Sequence, residues 1–334
     1  MTASGTFAPE FLVWLRDGFR LSDIAVGVDP ATAQFRIEVS GPWSQVTLWE
    51  TMVLAIVNEL YYREVEWRSG RQRTESYQEG RSRLERKLSV VRVHPDIRIV
   101  EFGTRRRFRK DWQRYVVGRC MTALSSPLQL LGTSNVLLAK ESGLHPIGTF
   151  AHELDMVYSG IYRDRLRRSH YTMLRDWWRG YGETLSIALT DTYTSDFFFE
   201  DFTTEQARAW RGLRQDSGDP FAFADKAIAF YERHDVDPMM KTIIFSDGLD
   251  VEKIVRIADH CRGRVGYAFG WGTDLTNDVG FRPLSLVMKA TRANGHGLVK
   301  LSDNLAKAQG SPEDIALFTR TFGHAPTTRE ECKY

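Results

Sequence analysis

From Ile97 to Phe269 short apolar runs recur, and each ends in a turn rich in glycine or polar side chains. Seven of these runs read as strands: Ile97–Phe102, Leu128–Leu131, His145–Ile147, Leu185–Thr190, Gly212–Arg214, Thr242–Phe245 and Val265–Phe269. Helical segments separate most of them: Arg107–Ala123, Asn135–Glu141, Phe150–Tyr158, Phe221–Arg233 and Val251–Cys261. Alternation of this kind predicts parallel strands joined by crossover helices. Seven short strands, none obviously an edge, predict an irregular seven-stranded α/β barrel rather than an open sheet. Such barrels place their chemistry at the carboxyl ends of the strands. The turns are therefore where function is sought.

The flanking regions follow a different rhythm. Glu10 to Gly18 reads as a short helix and Phe35 to Val39 as a strand. Trp43 to Tyr62 is a long helix with Leu48, Met52, Ala55 and Ile56 at helical spacing. Tyr77 to Leu88 is a charged helix whose arginines read as a solvated face. After Gly280, strand-like Leu284–Ala290 and Gly297–Lys300 flank Asn294-Gly295, a hairpin turn signal. Ser311 then caps a final helix that has Pro312 at its first position. The expected organisation is a barrel over 91–280 and a second α/β domain built from 1–90 and 281–334.

Composition excludes several function classes. Lysine and arginine exceed aspartate and glutamate by only 45 − 43 = 2, so no global charge favours nucleic acid. No apolar run approaches the ~20 residues of a membrane span, and Met1 to Glu10 is no signal peptide. Cys120, Cys261 and Cys332, scattered and odd in number, predict a reducing, cytoplasmic compartment. No Cys/His spacing resembles a zinc site, and no residue is assigned as a metal ligand.

The richest turn is Gly212-Leu213-Arg214-Gln215-Asp216-Ser217-Gly218-Asp219-Pro220. Arg214, Asp216 and Ser217 supply a guanidinium fork, a carboxylate and a hydroxyl, and Gly218 permits close backbone approach. Phe102-Gly103-Thr104-Arg105-Arg106-Arg107 puts arginines directly after a buried strand, where an anion site and a solvated face are both open readings. Gly132-Thr133-Ser134-Asn135 is a hydroxyl-rich helix entry that ordinary capping also explains. Gly148-Thr149-Phe150-Ala151-His152-Glu153 brings a histidine one turn past a strand end, and Thr190-Asp191-Thr192 brings a carboxylate that could equally cap a helix. Ser246-Asp247-Gly248 and Gly270-Trp271-Gly272-Thr273 resemble phosphate cradles, with backbone N–H groups exposed before a helix. Together the turns suit a phosphorylated sugar. Asp191 and Asp216 could accept from a ribose diol, while Arg105 and Arg214 could neutralise a diphosphate or face an aromatic ring.

These motifs occur together and in order. With Phe245-Ser246-Asp247 and Lys300-Leu301-Ser302-Asp303 they resemble the bacterial type of nicotinate phosphoribosyltransferase, from about Phe11 to Phe322. The resemblance implies a type II phosphoribosyltransferase fold. It implies transfer of phosphoribosyl from phosphoribosyl diphosphate to nicotinate, coupled to ATP, as the entry to NAD salvage. It implies Mg²⁺ on the departing diphosphate and admits a homodimer. By the same resemblance Phe102 would stack on the pyridine ring, and Arg105 would lie near the ring carboxylate and the diphosphate. Ser134 stands where nicotinamide-using relatives have an aspartate, which would repel a carboxylate. Arg214 would shield the ligand, Asp216 hold ribose hydroxyls with Ser217 beside it, and Asp191 orient His152 or the metal-bound diphosphate. Asp247, Gly248, Gly272 and Thr273 would bind the 5′-phosphate region. His152 matches the family's phosphorylated histidine. Members of the family begin with a segment carrying an Asp-x-Tyr motif whose tyrosine reaches the neighbouring subunit's site. No such motif occurs within Met1 to Leu60, so the chain is expected to start after it. That expectation motivates one alternative, a truncated or catalytically silent ligand-binding homologue; a second, within the same family, is a nicotinamide or quinolinate phosphoribosyltransferase, of which Ser134 argues against the nicotinamide form.

Overall fold

The structure is a computed structural model that describes residues 7–124 and 128–323. Cys332 and the end of the expected terminal domain lie outside those residues. The chain opens with a helical turn, Pro9–Val13, that loosens into a π-type turn, Trp14–Gly18. A hairpin follows, β1 (Ile24–Val28) against β2 (Phe35–Val39). A short helix, Trp43–Val46, and two long ones, Trp49–Ser69 and Arg73–Arg92, come next, the first long one ending on Gly70 in the left-handed conformation.

The central sheet is parallel and six-stranded. Its members are β3 (Ile99–Glu101), β4 (Leu130–Thr133), β5 (Ile187–Leu189), β6 (Gly212–Gln215), β7 (Thr242–Phe245) and β8 (Gly266–Trp271), in the spatial order β4-β3-β8-β7-β6-β5. Six of the seven expected strands are therefore present. The seventh, His145–Ile147, is reduced to one parallel bridge, Thr133 to Pro146. The Thr133 N–H donates to the His145 carbonyl and the Ile147 N–H to the Thr133 carbonyl, but Pro146 has no N–H to extend a ladder. Counting that bridge, the neighbours run in the cyclic chain order of the expected barrel. Among the described residues the ladder is open between the Pro146 segment and β5.

Near-continuous apolar runs explain why both faces of this sheet are buried. Ile99, Ile243, Leu213, Ala188 and Phe269 are all 0% exposed. The helix Val251–Cys261 buries Val251, Ile254, Ile257, Ala258 and Cys261, one stripe at helical spacing. Helix starts are capped by side chains, Ser311 as expected and Asn135 rather than its neighbour Ser134. Asn135 accepts from Leu138 N (3.2 Å), Asp219 from Ala222 N (2.7 Å), Asp250 from Lys253 N (2.7 Å) and Ser311 from Asp314 N (3.1 Å). Each such cap contributes about 1 kcal/mol.

The two long helices that precede β3 pack on the sheet. Tyr62, Leu84, Leu88 and Val91 belong to the same apolar core as β3 and β8. Near the other end, Tyr193 stacks on Phe322 with ring centroids 4.2 Å apart. The Asn294-Gly295 turn joins β9 (Arg292–Ala293) to β10 (His296–Gly297), both turn residues having positive φ. Leu284–Ala290, expected as a strand, is not one. Side chains take its backbone groups instead: Leu284 N–H donates to the Tyr62 hydroxyl (2.9 Å), and Arg106 Nε donates to the Leu286 carbonyl (3.2 Å).

Candidate active site

Parallel register sets the tips of β6, β7 and β8 level, with Gln215 opposite Phe245 and Phe245 opposite Phe269. The residues that follow, Asp216, Ser246 and Gly270, therefore emerge along one edge. His152 reaches the same edge from the start of the helix His152–Ile161. Its Nε2 lies 3.0 Å from Asp216 Oδ2 and 3.6 Å from Asp191 Oδ1. Its Nδ1 lies 3.1 Å from the Thr192 hydroxyl, which donates to Asp155 Oδ2 at 2.9 Å.

Around this centre the charges alternate. Arg214 Nη2 donates to Asp216 Oδ1 (2.8 Å), its Nε to Ser246 Oγ (2.8 Å) and its Nη1 to Thr149 Oγ1 (2.9 Å). Asp191 Oδ2 accepts from Ser217 Oγ (2.6 Å) and sits 3.4 Å from Lys300 Nζ. Lys307 donates to the Asp216 carbonyl (3.0 Å) and pairs with Asp247. Burial, reinforced by Lys300, holds the His152 imidazole down at about 4, so the ring is neutral at pH 7. Burial works against ionising the two aspartates as well. There Lys300 keeps Asp191 below its usual value, and Arg214 keeps Asp216 well below. The site thus pairs a neutral nitrogen base with two ionised carboxylates.

The ring of tips continues to β8, β3 and β4. The Arg214 guanidinium lies 5.9 Å from the centroid of the Phe102 ring. Gly270 is needed beneath that ring, because a Cβ there would come within 2.5 Å of Phe102 Cδ2. Ser134 follows β4, its N–H donating to the Glu101 carbonyl (2.8 Å). Arg105 is joined to Glu50 (3.0 Å). Gly272 and Thr273 follow β8, one strand removed from β6. The helix they introduce, Thr273–Thr276, is only four residues long. The helix after Asp247 and Gly248 has its N-terminus already capped by the Asp250 carboxylate. His152, Asp191, Asp216, Ser217 and Arg214 thus form one contact network, which Phe102 adjoins and Lys307 links to Asp247. Ser134, Arg105, Gly248, Gly272 and Thr273 stand on the same edge and, among the described residues, make no hydrogen bond or ion pair to His152.

Several participants were not singled out from sequence. Thr149, Thr192, Ser246 and Lys300 lie inside motifs already noted, and only their neighbours had been given roles. Lys307 follows the Lys300 motif by seven residues, with no local signal of its own. Glu101 was the most legible omission, being a carboxylate inside an apolar strand. It is fully buried and accepts from Gly103 N (2.5 Å), Thr133 Oγ1 (2.5 Å) and Gln113 Nε2 (3.0 Å). It thereby ties the Phe102 turn to the Ser134 turn. A cavity of about 340 Å³, bordered by Trp43, Glu50, Glu153, Val157 and Lys289, opens beside this edge and is not lined by His152.

Asp191 Oδ1 is buried without a hydrogen-bond partner among the described residues. It lies with His152 and Asp216 in a group whose ligand atoms fall within 4.8 Å of one another. Oxygen donors of this kind fit a hard divalent cation.

Comparison with known proteins agrees with this geometry. The nicotinate phosphoribosyltransferase (NAPRTase) family matches residues 97–325, and the N-terminal domain of that family matches residues 1–58. The solved nicotinate phosphoribosyltransferase of Porphyromonas gingivalis is 37% identical, with a TM-score of 0.87 over 95% of this chain and 81% of its own. That of Vibrio cholerae is 34% identical, with a TM-score of 0.88 over 96% of this chain and 78% of its own. On the strength of the strand-end site and these matches, the chain belongs to the nicotinate phosphoribosyltransferase family.

Proposed function

We propose that this chain transfers a phosphoribosyl group from phosphoribosyl diphosphate to nicotinate, giving nicotinate mononucleotide and diphosphate, and couples the transfer to ATP through His152. The observation that carries the coupling is the buried, neutral imidazole with its Nε2 3.0 Å from Asp216. A neutral imidazole has a lone pair to attack the γ-phosphoryl group, displacing ADP with the bonding electrons. Water then cleaves the phosphohistidine and resets the ring.

For the transfer itself little proton chemistry is needed, because the pyridine nitrogen is already a nucleophile. The work is positioning and charge stabilisation. Asp216 holds the ribose hydroxyls, Arg214 spans Asp216 and the Phe102 ring, and Phe102 stacks on the pyridine. Asp247, Gly248, Gly272 and Thr273 face the 5′-phosphate region. Arg105 meets the ring carboxylate, and Ser134 leaves room for it without a second negative charge. Asp191 and Asp216 are the residues to hold Mg²⁺, which supplies charge neutralisation on the departing diphosphate. A homodimer and a cytoplasmic setting go with this reading. Among the described residues no helix is long and apolar enough to cross a membrane.

The test is product analysis with nicotinate and phosphoribosyl diphosphate, with and without ATP, alongside γ-labelled ATP. Mononucleotide formation stimulated by ATP, and acid-labile label lost in His152→Asn, are expected. Turnover indifferent to ATP with no label on the wild-type protein would refute the coupling. Absence of mononucleotide under every condition would refute the transferase assignment.

A further inference from the structure

Behind Arg105 lies an ion triad that the chemistry above does not use. Glu50, on the helix Trp49–Ser69, places Oε1 3.0 Å from Arg105 Nη1 and 3.0 Å from Lys289 Nζ. Arg105 comes from the turn after β3 and Lys289 from the tail, 55 and 239 residues away from Glu50 in sequence. The Arg105 side chain is 42% exposed, whereas those of Lys289 and Glu50 are 17% and 13% exposed. Burial opposes the charge on both inner partners. It leaves the Lys289 ammonium below its usual value, while Arg105 and Lys289 together hold the Glu50 carboxylate below its own.

Two features show what such a triad can do. Glu50 takes only Nη1 of the guanidinium, and among the described residues Nε and Nη2 of Arg105 make no hydrogen bond. That side-on edge is the fork that pairs a carboxylate with two parallel bonds. The second feature is the charge count. An Arg105–Glu50 pair alone would present no net charge to an incoming anion. Lys289, bonded to the same Glu50 oxygen, returns one positive charge to the cluster. With two of its members largely shielded from water, that charge is felt at longer range than a surface ammonium would be.

We infer that Glu50 and Lys289 are specificity-determining residues for the ring substrate: Glu50 orients Arg105 with its side-on edge open, and Lys289 keeps the subsite positive, so a pyridine carboxylate is selected over the neutral amide. The inference rests on the reading that Arg105 meets the nicotinate carboxylate. It adds an attraction for the carboxylate to the missing repulsion at Ser134, and it draws on the two chain regions outside the central sheet.

The experiment is steady-state kinetics on the full chain with Lys289→Met, which removes the charge and keeps the stem. The KM for nicotinate is expected to rise about tenfold or more, while the KM for phosphoribosyl diphosphate moves less than about twofold. The ratio of kcat/KM for nicotinate over nicotinamide should fall with it. Lys289→Arg should bring the nicotinate KM back to within about threefold of wild type. Lys289→Gln gives the same readout should Lys289→Met fail to fold, as judged by thermal unfolding. An unchanged nicotinate KM, a parallel rise in both KM values, or an unchanged acid-to-amide ratio overturns the inference. Failure of the wild-type chain to make mononucleotide overturns the functional reading, and the inference with it. That outcome is distinct from an active wild type with an unaffected variant.

Discussion

Asp155 is a carboxylate in an unfavourable place, and its replacement gives a test with a definite sign. It is 1% exposed, one turn beyond His152 on the same helix. Its Oδ2 accepts from Thr192, but Oδ1 has no partner among the described residues. Burial pushes this carboxyl up to about 6 from 3.8. A group whose pKa is raised on folding stabilises the fold fully only below its unfolded value and loses that contribution as pH rises through the folded value. A shift of this size corresponds to about 3 kcal/mol disfavouring the ionised native protein at neutral pH. Asp155→Asn stays uncharged at every pH. Its amide hydrogens lack a ready acceptor where Oδ1 now sits, which costs about 1 kcal/mol or more. The variant should therefore be more stable than wild type by about 1–2 kcal/mol at pH 8, or about 2–4 °C in Tm. The advantage should shrink below about pH 6, vanish between about pH 5.5 and 4.5 and reverse by about pH 4. Thermal unfolding of both proteins across that range, followed by circular dichroism, reads the crossing. Thr192, His170 and Asp201 are present in both proteins, so the difference isolates one group. Parallel curves, or a variant less stable than wild type at pH 8, would show that burial does not govern this carboxyl.

Two further predictions concern the site itself. Gly270→Ala places a methyl 2.5 Å from Phe102 Cδ2, where a β-strand backbone gives no room to retreat. It should cost about 1–3 kcal/mol in stability and raise the nicotinate KM about tenfold, with the phosphoribosyl diphosphate KM nearly constant. Equal effects on both KM values would contradict the placement of the pyridine on Phe102. Protonation removes the imidazole lone pair, so labelling of His152 by ATP should stay level from pH 8 to about pH 5 and fall only near 4, where burial and Lys300 hold the ring. A midpoint near the ordinary histidine value of about 6.5, read by pulse labelling, would mean the ring is not desolvated as described.

How much of this was legible in the sequence depended on range. Strand β7 and the helix Val251–Cys261 fall where the apolar pattern put them, because local burial decides both. Asp216 and His152 stood out because each follows an element end. What the pattern could not show was pairing. Pro146 looks strand-like among its neighbours, yet it lacks the donor a ladder needs. Leu284–Ala290 has strand composition, but Tyr62 and Arg106 occupy its backbone groups from distant parts of the chain. Glu50 and Lys289 were unremarkable on their own helix and tail, since their meaning lies in a contact spanning 239 residues. Lys307 escaped for the same reason: its partners, Asp216 and Asp247, belong to two other turns.

The interruption that the sheet shows among the described residues falls beside the residue proposed to carry a phosphoryl group. Between the Pro146 segment and β5 the wall has no ladder to stiffen it. There the described links run through side chains: Thr149 to Arg214, His152 to Thr192, and His152 to Asp216. Ladders resist local change because each rung is braced by the next, whereas side-chain links can be exchanged singly. A dianion arriving on the imidazole would act on the stretch of the wall that no backbone ladder braces, and the remaining strands could keep their register while it came and went.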